Sequence, residues 1–236
     1  MIKIVPFCKK QLLDIRPEDI VSPYIRKCDI SRAMNGVDKF TDAYEKRFGI
    51  RPHNVHYIAQ TYGCSRSCGY CYVTHEGIWG SPNTYIKHVI AYHIFKDLRP
   101  SAPENTVYHL MGGAPAFWIN DWLDVWYGLP DTGIFHSDFL LNEMLYEAHE
   151  RTFDQLKKHD RQLHAVGLKE QRSWSKLELV NLEFLQRSGL PFYLTFTGCI
   201  DHQRVAKALL APYVNHDLLE EMYNIPIFTG FKALQD

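Results

Sequence analysis

The chain has 236 residues, is 46% hydrophobic, and sets 26 Lys and Arg against 27 Asp and Glu for a net charge of −1. That length suits one sizeable domain, and the near-neutral balance excludes a whole-protein field favouring nucleic acid or an anionic membrane. The start, Met1 to Lys10, has no long apolar run or small-residue cleavage site, and no window reaches about 18 apolar residues; neither a secretory signal nor a membrane span is expected.

Residues 1–54 read as an N-terminal extension packed on the core. Turn-rich stretches occur at Asp14-Ile-Arg-Pro-Glu-Asp19 and Val21-Ser-Pro-Tyr24. Ser31 to Phe48 is partly helical, interrupted at Asn35-Gly36, and Arg51-Pro52 closes the segment. Residues 55–236 read as the core. A first strand spans Val55 to Gln60. Tyr85, Ile86, Val89, Ile90, His93 and Ile94 recur at three- and four-residue steps, which predicts a helix from Asn83 to Arg99, with Pro100 just beyond it. Thr106 to Met111 is the second strand, followed by Gly112-Gly113-Ala114-Pro115. A short aromatic helix, Asn120 to Tyr127, leads to a third strand at Gly133 to His136. A long helix then runs from Leu140 to Lys157. Leu163 to Leu168 is the fourth strand. A helix from Ser175 to Arg187 stops at Gly189, and Pro191 to Thr197 is the fifth strand. Gln203 to Leu210 and His216 to Tyr223 are helical, and Ile225 to Phe228 is the sixth strand.

Strand and helix alternate throughout, which implies an α/β fold with a parallel sheet. Six units in roughly 180 residues fit a partial (β/α)6 barrel better than a closed eight-stranded one, which needs about 250. In such folds chemistry gathers at the carboxyl ends of the strands.

The first strand ends in Cys64-Ser-Arg-Ser-Cys68-Gly-Tyr-Cys71, spaced C-x3-C-x2-C. A short loop of this spacing can fold three thiolates around one centre. A structural zinc site wants four ligands, and an ordinary iron–sulfur cluster also takes four cysteines. Three thiolates on a four-iron cube would leave one iron open. A partial zinc knuckle needing a distant His, or three unrelated buried thiols, are the alternatives. Cys8, Cys28 and Cys199 are isolated and make no disulfide framework, which fits a reducing cytoplasm. The twelve histidines are scattered, and no pair has metal-site spacing.

The three cysteines, with the aromatic Tyr70 before the last, resemble the signature of the radical S-adenosylmethionine enzymes. The resemblance implies a [4Fe–4S] cluster on Cys64, Cys68 and Cys71, with S-adenosyl-L-methionine chelating the open iron. Gly112, Gly113 and Pro115 resemble that family's Gly-Gly-Glu-Pro loop, which holds the methionine ammonium, but Ala114 stands in the glutamate position. The resemblance places Tyr70 near the adenine. It also implies polar ligands at the other strand ends. Lys169 can pair with the methionine carboxylate, or be a solvated loop lysine. Ser137 or Asp138 can reach a ribose hydroxyl, and Ser137 the carboxylate; Asp138 can equally cap the helix near Leu140. Cys199 follows the fifth strand and is either an incidental thiol or a group near the substrate.

The chemistry so implied is oxygen-sensitive: reductive cleavage of S-adenosylmethionine to a 5′-deoxyadenosyl radical that abstracts hydrogen from a substrate. It needs an external one-electron donor such as flavodoxin or ferredoxin. The substrate, a small molecule or a protein, is not named by any motif. A glycyl-radical activase and a non-enzymatic iron–sulfur or zinc module are the competing readings.

Overall fold

Several of the runs expected as strands are apolar at nearly every position, and that pattern belongs to strands covered on both faces. The computed structural model describes residues 1–7, 17–32, 37–66, 68, 71, 75–80, 85–169 and 174–225. Ten strands are found among them: β1 (Ile2–Ile4), β2 (Ile20–Ser22), β3 (Ile25–Asp29), β4 (Val55–Gln60), β5 (Lys87–Val89), β6 (Val107–Met111), β7 (Ile134–Phe139), β8 (His164–Lys169), β9 (Phe192–Thr197) and β10 (Tyr223–Ile225). The helices are α1 (Val37–Phe48), α2 (His75–Trp79), α3 (Trp122–Tyr127), α4 (Glu150–Leu156), α5 (Lys176–Ser188), α6 (Ile200–Leu210) and α7 (His216–Glu220).

The main sheet has the order β10-β9-β8-β7-β6-β4-β3-β2. From β4 to β10 the six expected strands lie side by side in chain order, and every pair among them is parallel. The fold is therefore α/β with a mostly parallel sheet. The early segment does not stay outside it. β3 pairs antiparallel with β4 over Ile25 to Asp29, β2 pairs with β3, and β1 pairs with β5 in a separate ribbon.

Side chains alternate across a strand, so each strand feeds two layers. One face carries Tyr108, Leu110, Phe135, Phe139, Val166, Leu168, Leu194 and Phe196, packed with Trp122 of α3, Phe153 of α4, Leu182 and Leu185 of α5 and Leu210 of α6. The other face carries Val107, Ile134, Leu163, Ala165 and Tyr193, packed under Phe40, Ala43 and Tyr44 of α1. The carboxyl ends of this α1-covered face carry Asp138, Lys169, Thr195 and Thr197 by the same alternation.

Two expected helices do not form as read. Residues 85–99 fold as β5 and two short 3-10 turns, Ala91–His93 and Lys96–Leu98. Antiparallel pairing with Ile2 to Ile4 recruits Lys87 to Val89 as a strand, and Ile86, Val89 and Ile90 are branched residues that suit extended chain. The helix expected from Leu140 shortens to α4, preceded by a 3-10 turn at Tyr146–His149. Asn181 of α5 is the reason. Its amide donates to the carbonyls of Leu141 (2.7 Å) and Met144 (2.6 Å) and accepts from the amide of Tyr146 (2.9 Å). These bonds hold residues 141–146 out of a helix. Asp138 consequently lies inside β7, and the alternative that it caps a helix is overturned, since His149 precedes α4. The third strand extends to Phe139, three residues past its expected end. The sixth strand starts at Tyr223, and residues 226–228 of its expected span lie outside the described residues.

Candidate functional site

The cysteine loop is clamped at its base. Gln60, at the end of β4, donates its side-chain amide to the Gly77 carbonyl of α2, and the Gly63 amide donates to the Ile78 carbonyl (3.0 Å). These bonds tie the end of β4 to α2. Thr61, just past β4, donates its amide to Met111 O (3.2 Å) and its hydroxyl to Gly112 O (2.7 Å) at the end of the neighbouring β6. Gly112 and Gly113 both have positive φ, 72° and 68°. A Cβ on Gly113 would sit 2.5 Å from the carbonyl oxygens of Gly63 and Thr61, and one on Gly112 2.8 Å from Gln60 Cγ. Glycine at both positions lets the loop after β6 lie directly against the root of the cysteine loop. Ala114, the next residue, is fully buried, so a larger acidic side chain has no open space there.

The loop is also tied across the sheet. Arg66 sits between Cys64 and Cys68. It donates to Asn142 Oδ1 (2.8 Å) and to Glu178 Oε1 (2.5 Å). That ion pair is nearly buried, with side chains 13% and 6% exposed. Glu178 has a second task. Its other oxygen accepts from the Ser175 amide (2.9 Å) while Ser175 Oγ accepts from the Glu178 amide, a reciprocal cap that starts α5. A local helix-start signal therefore positions the partner of the cysteine loop.

Cys64, Cys68 and Cys71 are half-buried and form no disulfide. The Cys71 amide donates to the Cys68 carbonyl (3.0 Å), and the Arg66 amide approaches Cys64 Sγ at 3.4 Å. The Cys64 thiol is pushed up to about 11, mainly by burial. The Arg66 amide opposes the rise, while Glu143, Cys71 and Cys68 add to it. The Cys64 thiol therefore lies within electrostatic reach of Glu143, Cys71 and Cys68. Among the described residues, no three His, Cys, Asp or Glu side chains gather tightly enough for one metal ion. A single zinc needs its donors about 2.0–2.3 Å from one point, whereas the corners of a four-iron cube hold thiolates further apart. Three half-buried thiols are the donor type that a [4Fe–4S] cluster takes.

The other expected site residues divide by face. Asp138 and Lys169 share the α1-covered face. Lys169 Nζ donates to Thr197 Oγ1 (3.1 Å). The Asp138 carboxyl is pushed up to about 6 by burial, with Lys169 pulling the other way. Ser137 points to the opposite face. It is fully buried, donates its hydroxyl to Leu110 O (3.0 Å), and its amide donates to His164 Nδ1 (3.1 Å). Adjacent strand residues cannot both face one ligand. Tyr70 and Cys8 lie outside the described residues, and Cys199 is exposed at the start of α6.

Glu143 went unrecognised as a site residue. The residue as a whole is half-buried, yet both carboxylate oxygens are shielded from solvent and neither has a hydrogen-bond partner. Burial holds it well above the usual carboxylate range; Arg66 opposes this and Asp138 adds to it. Nothing local in the sequence marks it, because Asn181, distant in sequence, shapes its loop. Deeper on the same face lies a second unforeseen feature. His56 Nδ1 and His109 Nε2 are 2.8 Å apart, His109 Nδ1 and His136 Nδ1 are 2.7 Å apart, and His136 Nε2 is 3.3 Å from Tyr193 Oη. Phe40 of α1 packs over the three imidazoles. Their common placement on β4, β6 and β7 was the available signal.

No protein-family model matches the chain, and no curated protein matches it in sequence. A solved structure described as a histidine-tagged anSMEcpe with bound AdoMet aligns at 11% identity and a TM-score of 0.48, over 72% of this chain and 50% of that one. This chain thus spans about half the length of that neighbour. Among the described residues, no helix is long and apolar enough to cross a membrane.

Proposed function

We propose that the chain is a radical S-adenosylmethionine enzyme built on a partial (β/α)6 barrel. One observation carries this reading. Three thiols spaced C-x3-C-x2-C follow the first of six consecutive parallel strands and share one neighbourhood beside the Gly112-Gly113 loop.

Cys64, Cys68 and Cys71 would hold a [4Fe–4S] cluster. When bound, the cluster and S-adenosylmethionine together supply one-electron reductive cleavage and hydrogen abstraction. The chain's own residues bind and orient. Arg66, held by Glu178 and Asn142, fixes the loop between the first two cysteines. Gly112 and Gly113 bring backbone groups against the loop root, and the Gly112 carbonyl already accepts from Thr61. Lys169, half-buried beside Thr197, offers an ammonium to a ligand carboxylate. Asp138 lines the same face. The α1 layer closes the far end of this face, which keeps water from entering from below. The electron comes from an external donor such as flavodoxin or ferredoxin.

Anaerobic reconstitution tests the reading. The expected result is near four iron and four sulfide per chain, with 5′-deoxyadenosine formed on reduction in the presence of S-adenosylmethionine. Cys64→Ala, Cys68→Ala or Cys71→Ala should abolish iron binding, and Cys28→Ala and Cys199→Ala should spare it. One zinc per chain, or a cluster indifferent to S-adenosylmethionine, would overturn it.

A further inference from the structure

Among the described residues, the strand-end site holds one carboxylate more than its own cations occupy. Three carboxylates approach it: Asp138, Glu143 and Glu178. Arg66 is committed to Glu178 and Asn142 by hydrogen bonds. Lys169 faces Asp138 and is hydrogen-bonded to Thr197. Glu143 is left with both oxygens buried and without any donor. A buried carboxylate without hydrogen bonds is unfavourable unless something else supplies them. The loop that presents Glu143 is not loose: Asn181 bonds three of its backbone groups, and the Tyr146 hydroxyl donates to Leu140 O (2.6 Å). A rigid loop holding an unsatisfied acceptor is arranged for a donor that arrives from outside.

We propose that Glu143 is the receptor for an alkylammonium group of a bound ligand. An ammonium brings N–H donors and a positive charge, which answers the two unmet carboxylate oxygens. Glu143 also stands within electrostatic reach of Cys64. The ammonium belongs either to S-adenosylmethionine or to an amine substrate. In the first case the inference deepens the proposed function and rests on it; in the second it stands without it.

Binding to the full-length, anaerobically reconstituted protein decides the matter, with iron and sulfide assayed on the same sample. S-Adenosylhomocysteine carries the ammonium, whereas 5′-methylthioadenosine lacks it. Glu143→Gln keeps the shape and removes the charge. Loss of one charged hydrogen-bonding partner should weaken S-adenosylhomocysteine about tenfold or more and leave 5′-methylthioadenosine within about twofold. Glu143→Asp should retain part of the affinity. n-Butylamine, followed by saturation-transfer NMR, is the second arm. If its binding is lost in Glu143→Gln while S-adenosylhomocysteine is unaffected, the ammonium is the substrate's. Both ligands binding the variants as they bind the wild type would overturn the proposal. So would equal weakening of 5′-methylthioadenosine in a variant with unchanged thermal unfolding, or no binding of either ammonium ligand to the wild type. A protein without iron that still binds an amine through Glu143 would leave this inference standing and remove the radical reading.

Discussion

Toward the amino ends of the strands, the face under α1 carries His56, His109 and His136; toward the carboxyl ends it carries Asp138 and Lys169, with Glu143 on the loop after β7. Both layers are polar and both are buried, but they treat their polar atoms differently. The imidazoles bond to one another and to Tyr193, leaving one nitrogen, His56 Nε2, without a partner. As neutral rings they can form a continuous donor–acceptor chain in either direction. The strand-end layer does not close on itself: Glu143 lacks any donor, and the Cys64 thiol lies within its electrostatic reach. The contrast separates polar groups that satisfy one another from a carboxylate left without a donor.

Acid is the strongest way to break the inner layer. Burial lowers His56 and His164 to about 3, and lowers His109 and His136 well below the ordinary value, with neighbouring imidazoles adding to both. All four are therefore neutral in the folded chain, while the unfolded chain binds their protons below pH about 6.5. Stability is complete above that pH and is lost as pH falls toward the folded values. Each histidine contributes about 1.4 kcal/mol per pH unit, so the four together approach about 5 kcal/mol per unit. Asp138, raised to about 6 by burial, and Glu143, raised well above the usual carboxylate range, work oppositely, and each offsets roughly one of them as pH falls toward 4. Urea midpoints at pH 7.5, 6 and 5 should fall steeply, with unfolding between about pH 6 and 4. A flat profile would mean that the histidine layer is not buried and neutral.

The ion pair at the outer layer gives the next largest effect. Arg66→Met takes from the nearly buried Glu178 carboxylate the cation it pairs with. The expected cost is about 3 kcal/mol, read by chemical denaturation, and Arg66→Met with Glu178→Gln together should recover much of it. Full additivity of the two changes would show that the pair is not coupled. Gly113→Ala comes third. Its Cβ would collide with two backbone carbonyls, so about 2 kcal/mol is expected along with reduced iron uptake. Gly49→Ala is the control. It has a similar positive φ but open space around it, and should cost about 1 kcal/mol without touching iron content.

How legible these layers were depended on range. The six strands and the cysteine loop could be read because each is a local pattern of apolar residues or spacing. The helix expected over 83–99 failed because its competitor, β1, is some eighty residues earlier in the chain, and no window contains both. Ser137 and Asp138 were treated as interchangeable because the third strand was ended at His136. Extended to Phe139, the same two-residue period puts Asp138 with His136 and Ser137 on the other side. Glu143 was out of reach for a different reason. Leu140, Leu141, Met144 and Leu145 have helical spacing, and only Asn181, from another helix, overrules it. Arg66 was read only as spacing between cysteines, although Ser175 and Glu178 form an S-x-x-E cap that could have been recognised beforehand.

Glu143→Gln has the smallest expected effect and sharpens the comparison most. A buried group that serves the fold is missed when removed; a group held ready for a ligand is not. The wild-type carboxyl is desolvated and has no hydrogen-bond partner, so its ionised form opposes folding. The amide removes that charge but leaves its own polar atoms to be satisfied. A net gain on the order of 1 kcal/mol at neutral pH follows. Replacing His109, the middle of the imidazole chain, with Ala should instead destabilise by about 2–3 kcal/mol, since it opens a cavity and strips partners from His56 and His136. Opposite signs in the two denaturation curves would establish that one sheet face carries a layer that stabilises and a layer kept at the expense of stability. A loss for Glu143→Gln as large as that for His109→Ala would instead make Glu143 part of the structural core.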